Sequence, residues 1–266
     1  MSREVYSQLL LEVAAPTRLV LQVAAAHHPG AQVEEQLTLS LDGVVQRAQE
    51  FPGPHRGRVH LLDCRPGQLE ISYAATVSGH ADEVAAEELD AVTYLRPSRY
   101  AESDRLAALA AAEFGGLSVP ELVAGVSSWV GDRLDYVSGS SGPTDGAVDT
   151  LLAGAGVCRD YAHLVVALLR AMDVPARVVA VYAPGLFPMD FHAVAEAVVD
   201  GHWQVVDATL LAPRSCLVRI ATGRDAADTA FLSNYGGPVY LHSTQVRAVV
   251  SGDLPGDDVA ALVRLS

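Results

Sequence analysis

The stretch Gly154-Ala-Gly-Val-Cys-Arg-Asp-Tyr-Ala-His163 carries the most chemistry per residue in the chain. The apolar run behind it, to Met172, has the spacing of a helix over 157–172. Cys158 then stands at a helix N-terminus, facing unpaired backbone N–H groups and the positive end of the dipole. Both favour the thiolate, the nucleophilic form of cysteine. The dipole contributes only about 0.3–1 kcal/mol, up to ~2, and one pKa unit is ~1.36 kcal/mol. A working nucleophile therefore also needs a histidine partner. At about 100° per residue, Ala162, Val165 and Leu169 fall within about 40° of Cys158, so the cysteine tops the buried face. Gly154 and Gly156 permit a tight loop and close approach of a substrate backbone. Taken alone, Cys158 reads equally well as a buried residue capping an apolar helix.

Two later segments supply the partner. Phe191-His-Ala-Val-Ala-Glu-Ala-Val-Val199 and His202-Trp-Gln-Val-Val-Asp-Ala-Thr209 both read as strands, and Asp200-Gly201 between them is a two-residue hairpin signal. Antiparallel pairing about that turn brings His192 and Asp207 to the same end. A carboxylate beside a histidine fixes the ring tautomer and stabilises the imidazolium. A helix-top cysteine packed on this hairpin completes a Cys158/His192/Asp207 triad for thiol-based acyl transfer. Singly, a strand histidine is often a hydrogen-bonded core residue, and an aspartate before threonine is often a turn residue.

The elements that must position these groups follow from patterning. The first ~80 residues read as β. Leu69, Ile71, Tyr73, Ala75 and Val77 alternate on one face, as do Val33, Leu37, Leu39 and Leu41, with Pro/Gly punctuation between runs. Residues 81–90 hold five carboxylates and read as a solvated connector. Helices follow over 104–114 and from Pro120 to Arg133, with Ser118 as cap, then a stub over 149–153. Strand patterns return at 176–181, 192–199, 203–206 and 244–250. The last dozen residues, with Asp257 and Asp258, read as a surface tail. The expected class is α+β. The expected division is a β-rich N-terminal unit, 1–97, before a catalytic unit, 98–266. A fragment beginning near Pro97 is accordingly expected to keep the catalytic core.

Composition narrows the function. The 266 residues are 50% hydrophobic, enough for a substantial core, and carry a net charge of −14. That balance disfavours nucleic-acid binding, which needs clustered cations. All 18 basic residues are arginine, which excludes Schiff-base lysine chemistry and a P-loop. Three cysteines make no disulfide framework and suit a reducing compartment. No signal-peptide or membrane-span pattern is read, so a cytoplasmic location is expected. No cofactor, calcium loop or zinc grouping is read. His27-His28, His55 and His60 lie in loops or edges without ligand spacing, and metal binding by the triad residues themselves is a minor alternative.

Gly156-Val-Cys-Arg-Asp-Tyr-Ala-His-Leu164, His192-Ala and Asp207-Ala-Thr209 together resemble the bacterial transglutaminase-like superfamily. Leu134-Asp-Tyr-Val-Ser-Gly, Tyr94-Leu-Arg-Pro-Ser-Arg-Tyr100 and Gly223-Arg-Asp-Ala-Ala-Asp228 resemble further family segments, so the resemblance covers most of the chain. It implies a papain-like α+β transglutaminase core behind a small antiparallel β accessory domain. Cys158 would be nucleophile, His192 base and Asp207 orienting acid. The implied activity is a cysteine protease-like acyltransferase acting on a peptide or protein amide, isopeptide or γ-glutamyl bond, with hydrolysis the expected outcome. Two departures stand out: Ala-Val-Ala-Glu after His192, where relatives carry an aromatic, and Ala208, where proline is common. An arylamine N-acetyltransferase-like enzyme and an idle interaction module remain alternatives. The former places its nucleophile nearer the N-terminus.

The remaining polar residues have plain structural readings. His163 lies about 140° around the helix from Cys158 and reads as a hydrogen-bonding core residue. Arg159 and Asp160 serve the helix start, and Trp203 the hairpin core. Asn234 is a second candidate for the orienting residue.

Overall fold

The computed structural model describes residues 1–258 and 261–265. The first part of the chain lays down β1 (Ser2–Val13), β2 (Thr17–Leu21), β3 (Ala31–Leu41), β4 (Val44–Gln46), β5 (Gln49–Pro52), β6 (Arg58–Cys64) and β7 (Gly67–Gly79). Then come α1 (Glu88–Tyr94), α2 (Ser103–Phe114), α3 (Val119–Arg133), β8 (Asp135–Tyr136), α4 (Ala147–Ala153), β9 (Ala155–Gly156) and α5 (Cys158–Ala171). The chain continues through β10 (Ala176–Tyr182), β11 (Phe191–Val199), β12 (His202–Val206), β13 (Val218–Gly223), α5's short companion α6 (Ala226–Thr229), β14 (Leu232–Gly236) and β15 (Val239–Val250). The class is α+β, as expected.

The alternation read in β7 is realised: Leu69, Ile71, Tyr73, Ala75 and Val77 are all buried. They pack in one core with Leu9, Leu11, Leu19 and Leu21, which belong to two facing antiparallel sheets. One sheet has the order β15-β1-β7-β3-β4 and the other β14-β2-β6-β5.

This sandwich corrects the division at residue 97. β15 pairs with β1 from Arg3↔Val250 to Val13↔Val239, and β14 pairs with β2. The last two strands therefore complete the first unit. Without them β1 and β2 would each present an open edge of unpaired backbone groups. The sandwich core also continues into Tyr182 of β10 and into Val218 and Ile220 of β13. The Tyr182 hydroxyl bonds Ser7 Oγ at 2.9 Å and the Val23 carbonyl at 2.7 Å. A fragment of 98–266 strips these contacts and orphans two strands. It is expected to aggregate, which soluble yield and gel filtration against the full chain would show; a soluble, cooperatively melting fragment would refute this.

The sheet that carries His192 has the antiparallel order β12-β11-β10-β13. Helix α5 lies on the face formed by Ala176, Val178, Ala195 and Ala197, inside one core with α2 and α3. The expected helix is present, but its burial is not one-sided: every residue from Asp160 to Arg170 is buried. Surrounding helices and sheet leave it no wet face. α3 begins as anticipated, with the Ser118 backbone N–H bonding Glu121 at 2.9 Å.

Two segments read as surface do lie largely exposed, but each is tied to the body of the protein. The end of the acidic connector enters α1, capped where Asp90 accepts the Glu87 backbone N–H. Its last residue, Tyr94, is buried edge-on against Trp203, with ring centroids 5.5 Å apart. The C-terminal segment is docked, not free. Arg214 grips Asp257 at 2.9 Å, the Val205 N–H reaches the Val263 carbonyl, and Leu265 is buried beside Val179 and Val194. Val259, Ala260 and Ser266 of that segment lie outside the described residues.

Candidate active site

Short-range geometry presents Cys158. Gly154 ends α4 in the left-handed region, at φ 64°. Gly156 then passes so close to α5 that a Cβ there would lie 2.8 Å from the Cβ of Asp160. The Asp160 carboxylate accepts the Val157 N–H at 2.9 Å, and Arg159 ties the helix start to Ser141 Oγ and the Gly142 carbonyl. Both residues serve the helix start, as read from sequence. β9 runs parallel to β8, with Tyr136 opposite Gly156. That two-residue ladder brings Tyr136 beside Cys158.

The hairpin delivers the second and third groups. Asp200 and Gly201 both adopt positive φ, 50° and 79°, the pattern of a type I′ turn whose twist matches the strands. His192 and Asp207 meet at its open end, His192 Nε2 lying 2.9 Å from Asp207 Oδ2. Both side chains are almost wholly buried. The other carboxylate oxygen, Oδ1, accepts the N–H and hydroxyl of Thr209 at 2.9 and 2.7 Å.

Electrostatics follow from this arrangement. Burial opposes the His192 charge, but Asp207 and Cys158 outweigh it and raise the imidazole to about 10. Nε2 is committed to Asp207, and Nδ1 makes no hydrogen bond among the described residues, which leaves it open toward the neighbouring thiol. Asp207 is pulled below its usual range: burial works against its charge, and His192 and Thr209 overcome it. The other two cysteines differ. Cys64 and Cys216 are buried, and burial raises both thiols, Cys216 to about 11.

The remaining sequence candidates lie elsewhere. His163 is fully buried, stacks on Tyr100 and accepts the Ala226 N–H through Nε2 at 3.1 Å. Burial holds its ring down near 4, so it is a neutral brace for α6. Asn234 is on β14, donating to the Gly237 carbonyl, away from His192. Trp203 is in the core, beneath the Arg177 guanidinium at 3.6 Å. His27 pairs with Arg58, His60 with Glu50, and His55 with Tyr94. Among the described residues no group of three or more His, Cys, Asp or Glu side chains is placed to hold a metal ion, and no single helix is long and apolar enough to cross a membrane.

The profile of the transglutaminase-like superfamily core matches residues 108–208, a window holding Cys158, His192 and Asp207. A Cytophaga hutchinsonii protein, described with its crystal structure as a "putative cysteine protease", is 33% identical to this chain. That match covers 98% of this chain and 96% of that one, with a TM-score of 0.89. The chain belongs to the transglutaminase-like superfamily. An uncharacterised Mycobacterium leprae protein is 30% identical over 127 residues, 43% of this chain and 44% of the relative, so the match spans under half of that protein's length. The periplasmic domain of TgpA from Pseudomonas aeruginosa is 19% identical, covering 77% and 90% of the two chains at a TM-score of 0.44.

Membership of the transglutaminase-like superfamily supports thiol-dependent acyl transfer as the family chemistry. It also draws attention to Tyr136, in the Leu134–Gly139 segment, which sequence reading left without a role. Its hydroxyl lies beside Cys158, close enough for the thiol to act on it. Burial first, and then the thiol, push that hydroxyl up to about 12, so it stays protonated. A pair of residues separated by 22 positions gives no local signal; only the β8–β9 ladder joins them.

Proposed function

We propose that this protein is a thiol hydrolase that cleaves a peptide, isopeptide or γ-glutamyl amide through a thioester on Cys158. The observation that carries this reading is the buried relay in which Asp207 fixes His192 Nε2 and leaves Nδ1 to the thiol at the head of α5. Family membership supports the acyl-transfer class.

In the proposed cycle His192 takes the Cys158 proton. The thiolate attacks the amide carbonyl, and the carbonyl π electrons move onto oxygen. That oxyanion is stabilised by two neighbouring donors, the Cys158 backbone N–H and the Tyr136 hydroxyl, which the β8–β9 ladder brings beside it. The C–N bond then breaks, and the imidazolium gives its proton to the leaving amine. Water, deprotonated by His192, attacks the thioester and releases the acid and the Cys158 thiol. The proposed partner is thus a peptide or protein amide.

The test is selective alkylation. At pH 6.5 iodoacetamide is expected to label Cys158 at least about tenfold faster than Cys64 or Cys216, because only Cys158 has a helix N-terminus and a histidine partner. Peptide mapping after brief labelling of native protein measures this. Equal labelling at all three sites would overturn the reading.

A further inference from the structure

A hollow of about 510 Å³ is lined by Cys158 and His192 together with side chains that take no part in the proposed chemistry. Ala180 on β10 and Ala193 on β11 face each other in the ladder and form its floor. Both are only half-buried, so small side chains leave space where larger ones would have filled it. One wall is the stacked pair Phe191 and Phe231, with centroids 4.8 Å apart. Ala230 and Leu232 continue that wall.

Of the polar side chains around the hollow, Arg159, Gln22 and Thr229 are already engaged. Arg159 is held by Asp160 and the 141–142 loop. Gln22 gives its amide to the Asp228 and Ala230 carbonyls, and Thr229 bonds the Asp225 carbonyl. A charged guest would lose its water here, and the guanidinium in the lining is already paired with Asp160. An apolar guest would lose only unfavourable hydration.

The rim of the hollow is a strand. Leu232 and Ser233 of β14 line it, and β14 is the outer strand of the β14-β2-β6-β5 sheet, with its second edge unpaired by any strand among the described residues. Unpaired backbone groups beside a nucleophile form a template for an extended segment, whose alternate side chains would point to one side.

We propose that the acyl side of the substrate is an extended peptide that adds to β14 and seats one uncharged, apolar side chain in the Ala180–Ala193 hollow. This rests on Cys158 being the nucleophile. It selects against small acyl amides, which cannot pair with the strand, and against acidic or basic side chains at the seated position.

Binding to the Cys158→Ala protein tests the pocket without requiring chemistry, while alkylation of the wild type tests the nucleophile separately. The probes are blocked six-residue Ser/Ala peptides with Leu, Phe, Gly, Asp or Arg at one internal position, followed by fluorescence anisotropy. The Leu and Phe peptides are expected to bind about 10- to 100-fold tighter than the Gly peptide, with Asp and Arg weaker still. N-methylation of alternate backbone amides in the Leu peptide is expected to weaken it at least about tenfold. Ala180→Leu, added to the Cys158→Ala protein, is expected to remove the Leu preference at an unchanged melting curve. Ala230→Leu fills the same space if the first variant does not fold. Equal affinities across the series, or a Leu preference that survives a filled pocket, would overturn the pocket. Indifference to N-methylation would overturn strand pairing.

Discussion

Replacing Asp207 by Asn is expected to lower kcat/KM by about 10²–10³, with a moderate fall in melting temperature at neutral pH as the charge that holds His192 up is removed. The amide is isosteric and opens no cavity. It can, however, present N–H₂ to His192 Nε2, where the carboxylate accepted at 2.9 Å, and so favour the wrong ring tautomer. In serine proteases the same change costs about 10⁴ in kcat; a thiolate–imidazolium pair depends less on its third member. Cys158→Ala is expected to abolish turnover. The pH profile supplies a second readout. His192 is raised from 6.5 to about 10, so the stabilisation of its charged form is complete below about 6.5 and is lost as pH rises toward 10. Loss of the Asp207 charge should move the alkaline limb of kcat/KM to lower pH. An unshifted limb with wild-type turnover would remove Asp207 from the mechanism. A collapsed melting temperature without a kinetic defect would make it structural.

Glu196→Ala is expected to destabilise the fold by about 3–5 kcal/mol, the usual cost of stranding a buried charge. At ~2–4 °C per kcal/mol for a chain of this size, the melting temperature should fall on the order of 10 °C. Glu196 is about 1% exposed and lies between Arg177 and Arg219, at 2.7 and 2.6 Å. Burial opposes its charge, but the two guanidiniums hold it near 2. Its depressed value contributes stability that is present above the unfolded value of about 4.5 and lost as pH falls toward 2. Removing the carboxylate leaves two buried cations facing each other. Replacing all three residues by apolar ones of similar volume should recover most of the loss, and thermal melts of both variants make the comparison. A shift under 2 °C for Glu196→Ala would show that water reaches the arginines.

The parts of this molecule that were legible in its sequence are those specified over short range. Asp200-Gly201 announces the hairpin because few residue pairs adopt two successive positive φ values, and the hairpin in turn aligns His192 with Asp207. The Gly154–Cys158 turn and the apolar run behind it locate α5. Long-range pairing left no such trace. Nothing in β1 names β15 as its neighbour, because backbone hydrogen bonds are the same for any strand, and so the division at residue 97 was drawn where the local pattern changed. Tyr136 was passed over for the same reason. The connector and the tail do lie at the surface, with Asp82, Glu83, Glu87 and Glu88 exposed, but their patterning does not show that Asp90 caps a helix or that Asp257 holds Arg214. Counting charges by segment does not show which of them find partners.

The return of β14 and β15 to the first sheets also sets the order in which the chain can fold during synthesis. Residues 2 and 251 lie side by side, the Ser251 N–H bonding the Ser2 carbonyl at 2.8 Å, yet about 250 residues leave the ribosome between them. At ~5–20 residues per second, the early strands wait tens of seconds for the strands that cover their edges. During that time the sandwich is a half-built sheet, exposed to pairing with neighbouring chains. Arg3, Glu4, Gln8 and Glu12 space polar side chains along β1, as suits a strand that must stay soluble alone. The nascent chain, more than the finished molecule, is where this topology is most vulnerable.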